Sequence, residues 1–313
     1  MSMDTLGCRS PTPSARNDVG FSLIGALATQ PKHAAGRLQL ARILAKTKRN
    51  AEALEECKTI LKQDEVLTQP SQAAILLEAL RLISSIGSLE DIKTYEPLIM
   101  SALKRARDID KAISFRLIAA VAQKTWYTIP SLVIQMFDAI EWRDAIPASD
   151  SERFDWAQAH KQAAKALKKH DHRHREFLTA AVDTYEHIRT LSSYQRIQFA
   201  EALILLGRFK DANSQLEQIV EARREEFWWQ RRAQALLGLG EPGPAMAAIN
   251  NALGTSKDPK YRAAFLQVRY QIKNTISDAS AVDDLKEAIA SLSADDKYRK
   301  QLEDDLADIL QSN

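Results

Sequence analysis

Six residues of this chain recur at a single offset. Ala200, Leu203, Gly207, Ala212, Leu216 and Ile219 are followed thirty-three residues later by Ala233, Leu236, Gly240, Ala245, Ile249 and Ala252. A period of this length marks a supersecondary unit that cannot bury its apolar face alone and must stack on copies of itself. The residue types fit that reading. Small side chains suit places where two helices cross closely, large apolar ones fill the space between neighbouring pairs, and glycine accepts the left-handed conformation that ends a helix. Ten glycines and ten prolines in 313 residues are about half the roughly 12% those two residues contribute on average. Ala and Leu together supply 81 residues, and both stand high on the helix-propensity scale. The expected fold class is all-α, and an all-β chain is excluded.

Residues 1–20 hold two prolines and two glycines with almost no apolar periodicity, which predicts a disordered tail. From about Gln30 onward apolar residues recur at helical spacing, in about sixteen segments with short polar breaks, the pattern of antiparallel helix pairs. Leu38, Leu40, Ala41 and Leu44 lead across the break at 46–50 to Ala53, Leu54, Cys57, Ile60 and Leu61. A second pair spans Ala73–Ser85 and Leu89–Ala106, parted by Gly87 and Ser88, and a third spans Lys111–Trp126 and Pro130–Trp142. Pro147 and the cluster Ser149–Glu152 stop one helix and cap the next. That seam, within 145–156, is the expected boundary between N-terminal helical repeats over 21–146 and C-terminal repeats with a capping helix over 151–313. Beyond it helices are expected over 154–168, 173–189, 194–206, 209–223, 226–239, 244–253, 259–273, 281–292 and 297–310.

The repeat resembles the tetratricopeptide family, whose helix pair of about 34 residues carries small residues at positions 8 and 20 and a glycine near 15. Counting from Ser193 places Phe199 and Ala200 at positions 7 and 8, Leu203 at 11, Gly207 at 15, Phe209 at 17 and Ala212 at 20. Counting from Glu226 places Trp229 at 4, Ala233 at 8, Leu236 at 11, Gly240 at 15, Ala245 at 20 and Ala252 at 27, with Arg232 where the family prefers Leu. Counting from Ala34 puts Leu40 and Ala41 at 7 and 8, Leu44 at 11 and Ala53 at 20, without the glycine. The middle, 70–190, departs in length and residue choice, leaving open degenerate repeats or a separate helical packing. The resemblance implies a right-handed solenoid of antiparallel helix pairs that holds a peptide or protein segment in its concave groove. Its groove positions fall on Tyr194, Gln198 and Glu201 in one repeat, and on Phe227, Gln230, Arg231 and Gln234 in the next. The Lys/Asn clamp some members use for a C-terminal carboxylate is missing, since Arg42 and Glu201 stand at that place. A receptor for chaperone tails is therefore disfavoured.

Forty-three Lys and Arg against forty-one Asp and Glu give a net charge of +2, so any electrostatic function must be local. The one concentrated basic run is 161–175, with Lys161, Lys165, Lys168, Lys169, Arg173 and Arg175, three histidines and the single acid Asp171. Lys161, Lys165 and Lys169 are four apart and share a helix face, a spacing that can follow phosphates. This makes nucleic-acid binding the alternative function, against a plainer reading as a solvated helix end. Phe227, Trp228 and Trp229 lie among Arg223, Arg224, Arg231 and Arg232. Three adjacent aromatics cannot all point inward, so Trp229 is assigned to the core, and Phe227 either to a binding surface or to packing against the next pair.

Metal and catalytic motifs are weak. His170 and His174 lack a Cys or Glu to complete a tetrahedral set. Arg153 and His160 look superficially like the Arg-x6-His signature of the HEPN ribonucleases, and Asp304, Asp305 and Asp308 like the Asp-Asp-x-x-Asp motif of isoprenoid synthases, with no second motif in support. No Gly-rich phosphate loop, Gly-x-Ser-x-Gly or His-Glu-x-x-His occurs. The expectation is an interaction scaffold with no enzymatic activity, no cofactor and no metal. Two cysteines, Cys8 and Cys57, make no disulfide framework and suit a reducing compartment. The apolar stretch Phe21–Ala28 is too short to span a bilayer and has no basic region before it. No membrane association and a cytoplasmic location are expected.

Overall fold

The computed structural model describes residues 30, 33–106, 111–140, 145–168 and 170–312, with the side chains of Lys297, Gln311 and Ser312 excepted. The expected tail at 1–20 lies outside the described residues. Among these the fold is all-α: sixteen α-helices, two short 3-10 turns and no strand. They fall into two compact units, Met1–His174 and Arg175–Asn313.

The first unit contains α1 (Ala34–Lys46), α2 (Asn50–Leu61), a short α3 (Asp64–Thr68), α4 (Ala73–Ile86), α5 (Leu89–Arg105), α6 (Lys111–Thr125), α7 (Pro130–Asp138) and α8 (Asp150–Ala166). Consecutive helices pair, and the first helix of each pair lies on the one before: α4 against α1, α6 against α4, α8 against α6. The irregular middle of the sequence therefore continues the same stacking of helix pairs. The seam expected at 145–156 is not a boundary. Ser149 does cap α8, accepting the Glu152 amide at 3.3 Å, but α8 packs straight back onto α6 and α7 through Trp156, whose ring lies 4.4 Å from Phe115 and 5.0 Å from Phe137. A cap stops a helix without deciding where the next one packs. The division falls instead in the first turn of α9 (His172–Glu186).

The second unit holds the rest of α9, then α10 (Ser193–Leu205), α11 (Phe209–Glu217), α12 (Glu226–Gly238), α13 (Pro242–Thr255), α14 (Pro259–Thr275), α15 (Ala281–Ser291) and α16 (Lys297–Ser312). Here α10 pairs with α11, α12 with α13 and α14 with α15, α12 lies on α10 and α14 on α12, and α16 covers α15. This is a tetratricopeptide-like stack. The six small residues of the template, Ala41, Ala53, Ala200, Ala212, Ala233 and Ala245, are all fully buried.

Four pair joints share one geometry. Lys48, Gly207, Gly240 and Ser277 adopt φ of 63°, 83°, 80° and 57°. The following amides, of Arg49, Arg208, Glu241 and Asp278, donate to the carbonyls of Leu44, Leu203, Leu236 and Lys273 at 2.8–2.9 Å. This is the Schellman closure of a helix end. Nothing lies within 4 Å of a Cβ built at Gly207 or Gly240, so conformation rather than space selects glycine there. The sequence template finds these two joints by their glycines. It misses Ser277 and leaves the first repeat without a signature, because Lys48 and Ser277 adopt the same turn without glycine.

One expected helix is shorter than its periodicity suggests. α11 stops at Glu217 rather than running to 223. The Trp228 indole donates to the Leu216 carbonyl at 2.8 Å, a tertiary cap on the helix end. Trp228 is fully buried, with the guanidinium carbons of Arg224 and Arg232 lying 4.6 Å and 5.1 Å from its ring. Trp228 is thus the fully buried tryptophan, Trp229 packs half-buried against the core as expected, and two of the arginines flanking the aromatic run are engaged on Trp228.

An L-residue in the left-handed region is disfavoured by about 1–2 kcal/mol, which fixes the sign of two substitutions. Gly207→Ala should destabilise the second unit by about 1–2 kcal/mol, and Lys48→Gly should stabilise the first by about 0.5–1 kcal/mol. Urea midpoints at constant slope will read both. Cys57 is fully buried, and burial pushes its thiol up to about 12. In a Cys8→Ser chain Cys57 should therefore resist thiol reagents until the first unit unfolds, which a labelling time course in urea will report.

Candidate partner-binding surface

The residues expected to bind a partner lie on α10 and α12, the first helices of adjacent pairs. Tyr194 is 57% exposed and Gln198 is half-buried. Glu201, by contrast, is 8% exposed and reaches across to α12, where its carboxylate lies 2.9 Å from the Arg231 guanidinium. Arg231 also donates to the side-chain oxygen of Gln234 at 2.8 Å. Burial, followed by the Glu201 charge, raises the Tyr194 phenol above its ordinary value. Tyr194, Glu201, Arg231 and Gln234 therefore belong to one patch.

Three assignments need correction. Glu201 and Gln230 do not face solvent: Gln230 is only 6% exposed. Phe227 is half-buried and packs edge-to-face on Tyr261 at 4.8 Å and Phe265 at 6.0 Å, joining the core that runs from α12 to α16. Of the two readings of Phe227, packing against the next pair is the observed one. The template treats each repeat alone. It cannot register that α14 opens with rings that close over Phe227.

Sequence reasoning also passed over an aromatic series. Tyr194, Phe227, Tyr261 and Tyr298 stand at the second or third residue of α10, α12, α14 and α16. Tyr261 is 41% exposed, while the Tyr298 hydroxyl donates to Gln267 at 2.8 Å. The signal was present as an aromatic in the first turn of every first helix of the second unit. It was obscured because the last two repeats lack the glycine and alanine landmarks.

The corresponding helices of the first unit present ionic contacts instead. Glu78 on α4, almost fully buried, is held by Arg42 of α1 at 3.0 Å and Arg81 at 2.7 Å. Burial pushes its carboxyl up, but the two guanidinium groups outweigh that and hold it below its ordinary value. Asp155 on α8 behaves oppositely. Burial raises its carboxyl, only partly opposed by Arg116 and Arg81.

The basic segment does not form an open stripe. Lys161 is 0% exposed, and the Lys165 ammonium lies 4.2 Å from the centre of the Trp126 ring. Lys169 lies outside the described residues. Arg173 pairs with Asp138 at 3.4 Å, while Lys168 and Arg175, the latter at the start of the second unit, are exposed. The four-residue spacing was read as a solvent face, yet it points toward α6, where long lysine stems pack against an aromatic. Arg153 is engaged by the Pro147 carbonyl and by Asp150, both at 2.9 Å. His160 is buried against Trp156 and Phe137, with Nδ1 3.0 Å from the Trp156 carbonyl. Each is accounted for by packing. Asp305 is raised by burial and by its neighbours Asp308 and Asp304. Among the described residues no three His, Cys, Asp or Glu side chains come together in a way that could hold a metal ion. No described helix is long and apolar enough to cross a membrane.

No family model matches the chain, and no curated protein matches it. Among solved structures it is similar to a human IFIT1 dimer with m7Gppp-AAAA, at 13% identity and a TM-score of 0.39, over 90% of this chain and 65% of that one. It is also similar to the TPR domain of P58(IPK), at 14% identity and a TM-score of 0.30, over 95% of this chain and 94% of that one. The chain thus spans just under two thirds of the length of the first of these. Identities this low concern fold alone.

Removing one partner of the Glu201–Arg231 pair leaves a desolvated charge. Arg231→Ala should therefore cost about 1–3 kcal/mol, and Glu201→Gln combined with Arg231→Gln should cost less than the sum of the two single changes. A double-mutant cycle in urea tests this. Asp155 is more readily ionised in the unfolded chain than in the folded one. Its contribution to stability is thus lost as pH rises from below the ordinary value of about 3.9 through the raised folded value. Asp155→Asn should be more stable than the wild type at neutral pH, with the difference vanishing below about pH 3.5, as thermal melts across that range will read.

Proposed function

We propose that this protein is a scaffold that binds a peptide or protein segment along the face made by α10, α12 and α14, without a catalytic role. The observation that carries this reading is the exposure of two large rings, Tyr194 and Tyr261, on first helices that flank α12. Half-buried Gln198 and Gln234 accompany them. Tyrosine supplies broad contact area with only two torsions to immobilise and offers a hydroxyl at its tip. Gln198 and Gln234 supply amide groups matched to an extended backbone. In this reading Tyr194, Gln198, Gln234 and Tyr261 touch the bound segment. Glu201, Gln230, Arg231 and Phe227 support them from beneath, with the Glu201–Arg231 pair fixing α10 against α12. The basic segment contributes no second site, since Lys161 is buried and Lys165 and Arg173 are engaged. A cytoplasmic place of action belongs to the same proposal, because the free thiol of Cys57 is kept reduced there.

The test compares partner recovery by affinity capture and mass spectrometry. Tyr194→Ala with Tyr261→Ala should lose a defined set of partners, Tyr194→Ala changing stability by no more than about 0.5 kcal/mol, as for an exposed residue, and Tyr261→Ala costing about 1 kcal/mol because its ring packs on Phe227. Phe227→Ala should instead destabilise the second unit by about 2 kcal/mol. Undiminished recovery by the double variant would sink the proposal.

A further inference from the structure

A cleft of about 360 Å³ opens within the second unit between the end of α9, the joint at 187–192, α10 and α11. It is lined by residues of the second helix α11 and of the α9–α10 joint, and shares none with the patch assigned above to partner binding. We propose that it binds a compact oxyanion, a phosphate or carboxylate carried on a small apolar body.

The argument rests on how the charges in the cleft are divided. Three arginines line it, Arg189, Arg196 and Arg208, against two carboxylates, Glu186 and Asp211. Both acids are taken by one arginine: Arg208 donates to Asp211 at 2.6 Å and to Glu186 at 3.0 Å. That cation is therefore neutralised within the fold. Arg196, on α10, is half-buried, and the bond it makes is to the neutral side chain of Gln215, at 2.8 Å. A guanidinium in a cleft with a neutral partner keeps its charge and its remaining N–H donors available, in the planar fork that matches carboxylate and phosphate oxygens. Behind the charged rim the apolar lining is narrow, with half-buried Leu191 in front of Tyr185, Phe199 and Leu203, which are buried. Tyr185 and Phe199 stack at 5.0 Å with 23° between their planes, and Leu203 lies beside them. The volume is at the lower end of the range for small-ligand sites. An anionic head at Arg196 with a small ring or chain against Leu191 satisfies both halves of the cleft.

Isothermal titration of the full chain with phenyl phosphate, phenylacetate and inorganic phosphate tests this, and the first two distinguish the two kinds of head group. At least one arylated probe should bind with one-to-one stoichiometry and more tightly than inorganic phosphate. Arg196→Gln should weaken that binding by about tenfold or more, the loss of one charge-assisted contact. Ser214→Glu, an exposed change on α11 that sets a negative charge at the cleft, should weaken it equally. Should Arg196→Gln fail to fold by circular dichroism, Ser214→Glu decides alone. Tyr194→Ala should leave probe binding unchanged, which keeps this site separate from the partner surface. The proposal is overturned by the absence of binding at millimolar probe, or by a folded Arg196→Gln or Ser214→Glu chain that binds as the wild type does. Inorganic phosphate binding as tightly as both arylated probes would overturn the role of the apolar lining at Leu191.

Discussion

The close crossing of helices at alanine is the constraint on which both units depend. No single helix here is long enough to be stable by propensity in water, so each must lay an apolar stripe on its neighbour. At Ala41 and Ala53, Ala200 and Ala212, and Ala233 and Ala245 no surface remains exposed, and the two backbones of a pair meet where neither carries more than a methyl group. Gly238 takes the same principle further: a Cβ there would stand 2.3 Å from the Phe209 ring, so the ring of α11 lies directly on the backbone of α12. With the pairs closed in this way, the larger residues are left to fill the space between pairs. Within each unit the first helices then lie side by side and present a face of that unit.

That face differs between the units in a way that bears on function. In the first unit it is laced by Arg42, Glu78 and Arg81, with Asp155 set near Arg81 and Arg116. The Arg42–Glu78–Arg81 charges orient neighbouring helices and are satisfied within the fold, whereas Asp155 stays raised by burial. In the second unit a single ion pair, Glu201–Arg231, joins α10 to α12, and the ring-bearing first turns stand to one side of it. Exposed tyrosines beside a fixed polar group give a surface able to take up apolar area without leaving a charge unpaired. On α14 and α15 the same device is internal, since Asp284 is clamped by Arg269 at 2.7 Å and Lys273 at 3.1 Å and ties the last pair together.

Much of this was legible in the sequence. The 33-residue offset located both glycine joints and four of the six buried alanines, and the count from Ala34 the other two, because small size and left-handed φ are requirements on single residues that only a few side chains meet. The candidate surface was half legible. Tyr194 is exposed and Gln234 half-buried, but Gln230 is buried, Phe227 packs against the next pair, and Trp228, to which the sequence assigned no role, is fully buried. Trp228 caps α11 from another helix, and Phe227 is covered by Tyr261 and Phe265. Both facts concern a neighbouring pair and leave no mark on the local spacing. The cleft at Arg196 had no sequence signature at all, since its arginines and acids come from three elements.

What the sequence determined by itself was the all-α class, the pairing of consecutive helices and the small-residue crossings. Each follows from near-neighbour periodicity, which a linear chain carries directly. Tertiary structure alone decided where the chain divides, which tryptophan is fully buried, and which lysines face solvent. The cap at Ser149 stops a helix, yet α8 returns to α6 and α7 through Trp156, so the division waits until 174–175. Lys161 and Lys165 have the spacing of an exposed stripe, yet one is fully buried and the other lies over Trp126. The physical reason is common to these cases. A helix has a fixed period but no preferred azimuth, and the side of it that meets a neighbour is chosen by residues far away in the chain.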